Sequence, residues 1–264
     1  MKRLLLLPLL LAAACQAPGG KRLTVLSWNL HHGADAREVR NLEDVAAWIR
    51  ALAPDAAVLQ EVDRRTGRSG GEDQIGTLAA ATGLSGFFGR AMDWDGGEYG
   101  EGALTALPVL DVEVHPLPHR PGSEPRAALE LRLRLPGGAE VAVVGTHLDH
   151  QREPADRSLQ ARALAEILAR PGRPPTVLAG DLNADLDAAE LAPLAALAAD
   201  ACAASPRPTF PAEAPRVRLD HVLLIPPGAW RVLEAGPLPE AAAPSDHLPV
   251  RALLELRSSS AGGY

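Results

Sequence analysis

The sequence predicts an α+β domain in which two packed, mostly antiparallel sheets are flanked by helices. Apolar runs of strand length alternate with helical patterns in both halves of the chain, whereas the middle holds extended runs separated by proline and glycine turns. One of these runs, residues 131–135, alternates strictly between leucine and arginine, which is typical of a strand with one face in water. Because neither an internal repeat nor a second linker is visible, we expect a single domain over residues 21–257.

The predicted elements follow from apolar spacing and from proline and glycine stops. Strands are expected over residues 23–27, 56–59, 102–105, 109–114, 127–135, 141–146, 176–179, 219–225, 230–233 and 249–256. Helices are expected over residues 41–52, 73–81, 154–170 and 187–197. In the first of these helices, apolar residues recur at helical spacing and Pro54 stands just beyond the end.

Composition limits the classes of partner. Hydrophobic residues make up 47% of the 264 residues but aromatic residues only 3%, so we expect a sizeable aliphatic core. The chain has 26 basic and 33 acidic residues, a formal net charge of -7. Such a balance disfavours bulk binding of a long nucleic acid, although it leaves a local basic patch open.

The N-terminus has the pattern of an export signal. Lys2 and Arg3 precede an apolar run over residues 4–11 that is too short to span a bilayer, and three alanines then lead to Cys15. The segment 1–15 resembles a bacterial lipoprotein signal with Cys15 as the lipidation site, although Ala12 stands where leucine is commoner. The alternative is a plain secretory signal cut nearby. Removal of both basic residues leaves 24 basic against 33 acidic residues, a formal charge of -9.

These features predict an exported protein of the cell envelope, anchored to the membrane by lipid or otherwise secreted. A linker is expected over residues 16–20 and a disordered tail over residues 258–264. We expect a monomer. If Cys15 is lipidated, Cys202 is the remaining thiol, and its alanine-rich surroundings indicate a small buried side chain rather than a nucleophile.

The end of the predicted strand 176–179 is the first chemical signal. Gly180 is followed by Asp181, and Asn183 stands two residues further on. Extended geometry would put both side chains on the same side of the strand, where a carboxylate and a carboxamide suit a phosphate ester and its attacking water. The alternative is an ordinary turn in which Asn183 caps the helix predicted over residues 187–197.

Five further predicted strands begin or end in polar residues of similar chemistry. The six sites are Trp28-Asn29, Gln60-Glu61-Val62-Asp63, Thr146-His147-Leu148-Asp149, Asp181-Leu182-Asn183, Asp220-His221 and Ser245-Asp246-His247. Loops at one edge of a sheet are where a scaffold presents reactive groups. Oxygen donors such as Asn29, Glu61 and an aspartate favour Mg²⁺ or Mn²⁺ over Zn²⁺. Histidines beside carboxylates orient water and donate to phosphoryl oxygens. Together these residues predict metal-assisted hydrolysis of a phosphate ester.

In this order the motifs resemble those of the endonuclease/exonuclease/phosphatase superfamily, which has the deoxyribonuclease I-like fold. The matching segments are Ser27-Trp28-Asn29, Gln60-Glu61, Gly145-Thr146-His147-Leu148, Gly180-Asp181-Leu182-Asn183, Leu219-Asp220-His221 and Ser245-Asp246-His247-Leu248-Pro249-Val250. Gly96-Gly97-Glu98-Tyr99-Gly100, followed by Ala103-Leu104, is similar to a segment of small bacterial members. The resemblance implies a four-layer α/β/β/α sandwich, which agrees with the element order.

The resemblance also implies roles for individual residues. Glu61 would be the principal metal ligand, Asn29 would contribute directly or through water, and Asp246 would hold the same or a second ion. The implied catalytic residues are His247 as base or electrostatic partner, Asp220 orienting it, Asp181 on the attacking water, Asn183 on the scissile phosphate and His147 as donor to a phosphate oxygen. Whether Asp181 or His247 is the base stays open.

Two departures from the family pattern affect the expected phosphate contacts. The family often has asparagine where this chain has Glu101, and a Ser-Arg pair where it has Ala106-Leu107. Arg126 is the candidate replacement for that arginine, since an arginine at the start of the strand recurs in the family.

Other chemistries are disfavoured. Gly67-Arg68-Ser69-Gly70-Gly71 fits the serine-hydrolase elbow, but it lies in a long polar loop rather than between apolar elements. The remaining histidines match no core motif and are expected at the surface; they are His31, His32, His115, His119 and His150. His31, His32 and His150 lie close enough in sequence to the motifs to rim the site.

The sequence thus predicts an exported Mg²⁺-dependent phosphoesterase, with Mn²⁺ as an alternative ion, that cleaves a phosphodiester or phosphomonoester by in-line water attack. Expected substrates are lipid head groups, inositol phosphates or nucleotides. The alternatives are an extracellular nuclease of the same fold and a phosphate-binding lipoprotein without turnover.

Overall fold

Two six-stranded sheets pack face to face in residues 21–257, the part of the chain that the computed structural model describes. The strands are β1 (Arg22–Asn29), β2 (Ala56–Arg64), β3 (Ser85–Trp94), β4 (Gly97–Thr105), β5 (Val109–Leu117), β6 (Arg126–Arg134), β7 (Glu140–His147), β8 (Thr176–Asp181), β9 (Ala199–Asp200), β10 (Asp220–Ile225), β11 (Trp230–Pro237) and β12 (Val250–Leu256). The helices are α1 (Leu42–Leu52), α2 (Gln74–Thr82), α3 (Ala155–Leu168) and α4 (Ala192–Leu197). Short 3-10 turns cover His31–Gly33, Ala189–Leu191, Pro227–Ala229 and Pro239–Ala241. The predicted signal, linker and tail (1–20 and 258–264) lie outside the described residues.

The sheets confirm the predicted fold class. The strand order is β11-β12-β1-β2-β4-β3 in one sheet and β5-β6-β7-β8-β10-β9 in the other. The pairs β1–β2 and β7–β8 are parallel, and the other pairs within residues 21–257 are antiparallel. Aliphatic side chains from the inner faces of both sheets, such as Val58, Leu129 and Val143, form the central core. This is the inner double layer of the sandwich.

The helices supply the two outer layers. Val45 and Ile49 of α1 and Leu78 of α2 pack on the outer face of the first sheet, against side chains that include Leu59. Leu164 and neighbouring apolar residues of α3, together with α4, cover the second sheet in the same way. Each fully buried leucine contributes about 1.5–3 kcal/mol from area removed from water. Within residues 21–257, no helix is long and apolar enough to cross a membrane.

Each predicted strand and helix has a counterpart in the structure, but the short strand β9 and strand β3 were not predicted and one helix is split. Strand β3 was not predicted, because its residues are largely half-exposed or exposed and show no clear apolar alternation. The helix predicted over residues 187–197 is split, since a 3-10 turn (Ala189–Leu191) precedes α4 and Pro193 lies in the first turn of α4. The alternating segment 131–135 behaves as expected: its leucines are buried and Arg134 is exposed.

Strand register alone brings most of the candidate residues to one edge of the sandwich. Asp220 opens β10 directly opposite Asp181, and Asp181 lies beside His147 in the parallel pair β7–β8. In the other sheet, Asn29 lies beside Gln60. The polar strand ends therefore meet at a common edge, as the sequence predicts.

Gly180 is required where β8 passes β7. A Cβ atom at this position would lie 1.9 Å from the backbone oxygen of Thr146, and a backbone atom cannot move aside as a flexible side chain can. The glycine of the Gly-Asp-Leu-Asn motif is thus explained by close strand packing directly before Asp181.

We predict that Gly180→Ala lowers the free energy of unfolding by about 2–3 kcal/mol, because the methyl group overpacks against backbone. Urea denaturation followed by circular dichroism measures the change. The matched control is Gly228→Ala, where a Cβ atom meets nothing within 4 Å; its unfolding free energy should change by less than about 0.5 kcal/mol. Equal stability of the two variants would contradict this account of the motif.

Candidate active site

Asn29 links the two sheets at the shared edge. Its amide nitrogen donates to Oε1 of Glu61 at 3.0 Å and to Oδ2 of Asp181 at 3.1 Å. Its Oδ1 accepts the backbone N–H of His31 at 3.0 Å. In this orientation Asn29 positions both carboxylates, so direct metal ligation by its oxygen stays a prediction.

Glu61 is aimed by a β-bulge. The register between β2 and β4 shifts between Leu59 and Val62, and Glu61 within the shift has a left-handed φ of 58°. A bulge adds a residue to one strand and redirects its side chain, which explains how Glu61 reaches the site from a buried strand. A left-handed backbone at a residue other than glycine costs about 1–3 kcal/mol and is concentrated at functional positions.

His247 and Asp220 form a buried pair. Nδ1 of His247 lies 2.9 Å from Oδ2 of Asp220, and Nε2 of His247 points to Asp181, with its Oδ2 3.6 Å away. The ligand atoms of the three residues lie within 4.8 Å of one another, so this acidic cluster is itself able to hold a cation. The predicted metal set was different: Glu61, Asn29 and Asp246. Because Nδ1 is already engaged by Asp220, the arrangement equally suits an oriented imidazole.

Burial and mutual charge shift the pKa values of Asp181 and His247 in this cluster. Burial raises the pKa of Asp181 to about 7 against the lowering effect of His247, and Asp220 adds to the rise. Burial also acts to lower the pKa of His247, but the charges of Asp220 and Asp181 outweigh it and raise the pKa to about 10. The two groups titrate as a pair. A carboxyl group that titrates near neutrality beside a protonated imidazole is suited to acid–base chemistry.

Asn183 reaches the site by a route different from the one expected. Strand β8 ends at Asp181, and Asn183 has a left-handed φ of 52°, so the prediction that extended geometry aligns the two side chains was wrong. Instead the turn is closed when Oδ1 of Asp181 accepts the Asn183 N–H at 2.9 Å. The amide of Asn183 then donates to the Leu148 carbonyl at 3.0 Å and lies 2.9 Å from Nε2 of His147.

His147 is buried and neutral. Burial lowers its pKa well below the usual value, and Arg126 lowers it further. Its Nδ1 is buried without a partner among the described residues. Its Nε2 lies beside Asn183 and Asp181 in the cleft, and contact of His147 with a phosphate oxygen stays a prediction.

Arg126 supplies positive charge. It is buried, and its Nη2 lies 3.1 Å from Nδ1 of His150 and 3.3 Å from Oε1 of Glu124. Its Nε and Nη1 have no partner among the described residues. Arg126 also lines the cleft, and a guanidinium group suits a phosphate group as a ligand.

Glu101, the residue that departs from the family pattern, is buried beneath the site. Burial raises its pKa well above the usual range, with Arg126 acting in the opposite direction. A neutral carboxylic acid carries an O–H donor and so resembles the asparagine found elsewhere in the family as a hydrogen-bonding group.

Hydrogen bonds hold the Ser245-Asp246-His247 motif against β1. The Ser245 hydroxyl donates to the Asn29 carbonyl at 2.6 Å and accepts the His247 N–H at 3.1 Å. The Trp28 indole donates to the His247 carbonyl at 3.1 Å. Asp246, the remaining predicted metal ligand, also lines the cleft. In the sequence Ser245 and Trp28 stand out only as parts of motifs, whereas in the structure their hydrogen bonds hold the loop in place.

The cleft has a volume of about 680 Å³. Its lining includes Glu61, Asp181, Asn183, His147, His247, Asp246 and Arg126, which were predicted, and Arg68, Trp94 and Phe210, which were not. Trp94 is 47% exposed, and Phe210 packs on His247 with ring centroids 4.7 Å apart. These residues lie in the unpredicted strand β3 and in loops, where sequence periodicity carries no signal.

Three groups outside the catalytic motifs, His115, Ser69 and Cys202, are buried away from the cleft. His115 was expected at the surface but is buried, with its Nε2 2.9 Å from Oε2 of Glu130. Ser69 is buried in a turn, where its hydroxyl lies 2.8 Å from that of Thr66. Burial raises the pKa of the Cys202 thiol to about 11, which makes it a poor nucleophile.

Comparisons with known proteins agree with this geometry. Residues 26–247 match the model of the endonuclease/exonuclease/phosphatase family. A protein of that description from Beutenbergia cavernae is 28% identical, with a TM-score of 0.79 over 90% of this chain and 72% of the other. A mannosyl-6-phosphatase from Bacteroides thetaiotaomicron is 21% identical (TM-score 0.73, 88% and 99% covered). TDP2 from D. rerio, in complex with a single-strand DNA product, is 20% identical (TM-score 0.69, 89% and 99% covered).

Among curated proteins there is no match. The two likenesses near 20% identity establish the fold alone. The family model spans most of the chain, and its boundaries enclose every predicted catalytic and metal-binding residue from Asn29 to His247. The chain belongs to the endonuclease/exonuclease/phosphatase family.

Proposed function

We propose that this protein is a Mg²⁺-dependent phosphoesterase that hydrolyses a phosphodiester or phosphomonoester by direct attack of water. The observation that carries the proposal is the buried network in which Asn29 joins Glu61 to Asp181 and Asp181 faces His247. Family membership supports a hydrolase of phosphate esters. The network gathers into one cleft the groups that such a reaction needs.

The donor set fits a hard cation. Glu61 and Asp246 offer carboxylate oxygens at the cleft, and Asn29 offers an amide oxygen if its side chain rotates. Oxygen donors without cysteine match Mg²⁺, with Mn²⁺ as the alternative ion. When bound, such an ion would neutralise phosphate charge and stabilise the charge that develops in the transition state.

The remaining roles belong to the chain itself. Asp181 would orient the attacking water, since its Oδ2 lies 3.6 Å from Nε2 of both His147 and His247. His247, protonated and held by Asp220, would balance the negative charge of the phosphate or pass a proton. Asn183 and Arg126 would bind the phosphoryl oxygens. With His247 protonated, Asp181 would be the group that accepts a proton from the water.

For the cell, we propose export and a lipid anchor at Cys15, on the pattern of residues 1–15. A membrane-tethered cleft facing the envelope favours lipid head groups, inositol phosphates or scavenged nucleotides as substrates. Export to the medium without an anchor is the alternative. Membrane fractionation of cells that carry Cys15→Ser tests the anchor: the variant should leave the membrane fraction, and continued retention would contradict lipidation at this residue.

Turnover of bis(p-nitrophenyl) phosphate tests the activity. We expect hydrolysis with Mg²⁺ that EDTA abolishes and added Mg²⁺ restores. The substrate class follows from a panel of plasmid DNA, single-stranded DNA, phosphatidylinositol, phosphocholine lipids and sugar phosphates. The net charge of -7 predicts weak cleavage of long DNA. Tight phosphate binding without turnover under any divalent ion would instead support the non-catalytic alternative.

A further inference from the structure

Three side chains outside the proposed catalytic network converge at the rim of the cleft. Nε2 of His31 lies 3.6 Å from Oε1 of Glu38, and Nε2 of His32 lies 2.9 Å from Oε2. One ligand atom from each of the three residues lies within 4.8 Å of the others. In a tetrahedral site with bonds of about 2.0–2.1 Å, ligand atoms stand about 3.4 Å apart. The distances from the two histidine Nε2 atoms to the Glu38 carboxylate, 3.6 and 2.9 Å, lie on either side of that value.

The backbone presents these three groups at some energetic cost. His31 and His32 each have a φ of 46°, and Glu38 has a φ of 62°. Left-handed backbone at such residues costs on the order of 1 kcal/mol each and persists only where surrounding contacts impose it. Here the contacts are backbone hydrogen bonds of 2.9 Å, from Ala34 to the His31 carbonyl and from Glu38 to the Asp35 carbonyl.

The donor types select a different ion from the one proposed for catalysis. Two imidazoles and one carboxylate are the ligands of a Zn²⁺ site with an open position, whereas Mg²⁺ prefers oxygen donors. His31 and His32 line the cleft, and the Glu38 side chain is 68% exposed, so an ion could enter and exchange.

A second cluster with similar donors shows why the rim is the better site. Glu113, His115 and Glu130 also bring their ligand atoms together. There, however, the other oxygen of Glu130 accepts from Arg173 at 2.7 Å, and a fixed positive charge opposes a second cation. Glu38 is paired with His31 and His32 themselves, and the charge of Arg68 is the smallest of the influences that lower the pKa of its carboxyl group.

We propose that His31, His32 and Glu38 form a binding site for a borderline divalent transition metal such as Zn²⁺, with water or an anionic substrate group completing its coordination. The site is separate in chemistry from the Mg²⁺ set. It is close in space, because the His31 N–H donates to Oδ1 of Asn29 at 3.0 Å. An ion here adds positive charge at the rim of the cleft that receives the phosphate ester.

Titration of the tag-free full chain with Co²⁺ as a spectroscopic probe for Zn²⁺, in saturating Mg²⁺, tests the site. We expect one equivalent of Co²⁺ with visible absorption typical of tetrahedral nitrogen and oxygen ligation, and without the thiolate band that cysteine ligation would give. His31→Asn, His32→Asn and Glu38→Gln should each weaken binding at least roughly tenfold. Asparagine is chosen because it tolerates left-handed backbone.

Two variants serve as controls. His119→Asn removes an exposed histidine outside the cluster and should bind Co²⁺ as the unmodified chain does. Glu61→Gln should lose Mg²⁺-dependent turnover yet keep the rim ion, which separates this proposal from the proposed function. Failure of Co²⁺ to bind, or unchanged affinity in the three rim variants, would show that His32 and Glu38 form only a hydrogen-bonded pair.

Discussion

Glu61→Gln is expected to lower kcat/KM for phosphate-ester hydrolysis by roughly three orders of magnitude, about 4 kcal/mol of transition-state stabilisation. The substitution keeps the size of the side chain and removes its charge, so it weakens the cation site without opening a cavity. Glutamine can still accept the hydrogen bond from Asn29, which now spans 3.0 Å. The expected loss is therefore of metal affinity and turnover rather than of fold.

Steady-state kinetics over a range of Mg²⁺ concentrations, together with a thermal melt, measure this effect. The matched control is Glu166→Gln, an exposed glutamate on α3 outside the cleft, which should leave kcat/KM unchanged. Full activity of Glu61→Gln at ordinary Mg²⁺ concentrations would remove Glu61 from the metal site and with it the proposed donor set.

His247→Asn is expected to lower kcat by about 10²–10⁴, the range for loss of a positioned acid or base. In the intact protein, kcat/KM should rise with pH as Asp181 loses its proton near 7 and fall as His247 loses its proton near 10. The first change frees the carboxylate for the water, and the second removes the positive charge beside the phosphate. The rise and the fall of this pH profile, its acid and alkaline limbs, reflect titration of Asp181 and His247 as a coupled pair.

Asp220→Asn separates the two limbs of that profile. Removal of the Asp220 charge takes away the main influence that raises the pKa of His247, so the alkaline limb should move towards lower pH. A purely structural role for Asp220 would lower activity evenly at all pH values. A pH profile of kcat/KM from 5 to 11 distinguishes the two, and an unchanged alkaline limb would exclude His247 as its source.

Most elements of the fold followed from apolar periodicity, but β3 did not. Its residues are largely half-exposed or exposed, and it is held by pairing along the edge of the first sheet with β4. Such pairing depends on the backbone groups of the neighbouring strand and does not require an apolar pattern in the sequence of β3. The cleft residue Trp94, at the end of β3, was overlooked for the same reason.

Local sequence determined which chemical groups this protein presents: the strand ends name Glu61, Asp181, Asn183, His147, Asp220 and His247, and their types alone indicate phosphate-ester chemistry. Tertiary structure decided how they act. The bulge at Glu61, the left-handed turn at Asn183 and the burial that perturbs Asp181 and His247 depend on strand register and desolvation. Those quantities arise only when distant segments pack together, and so the rim cluster of His31, His32 and Glu38 became visible only in three dimensions.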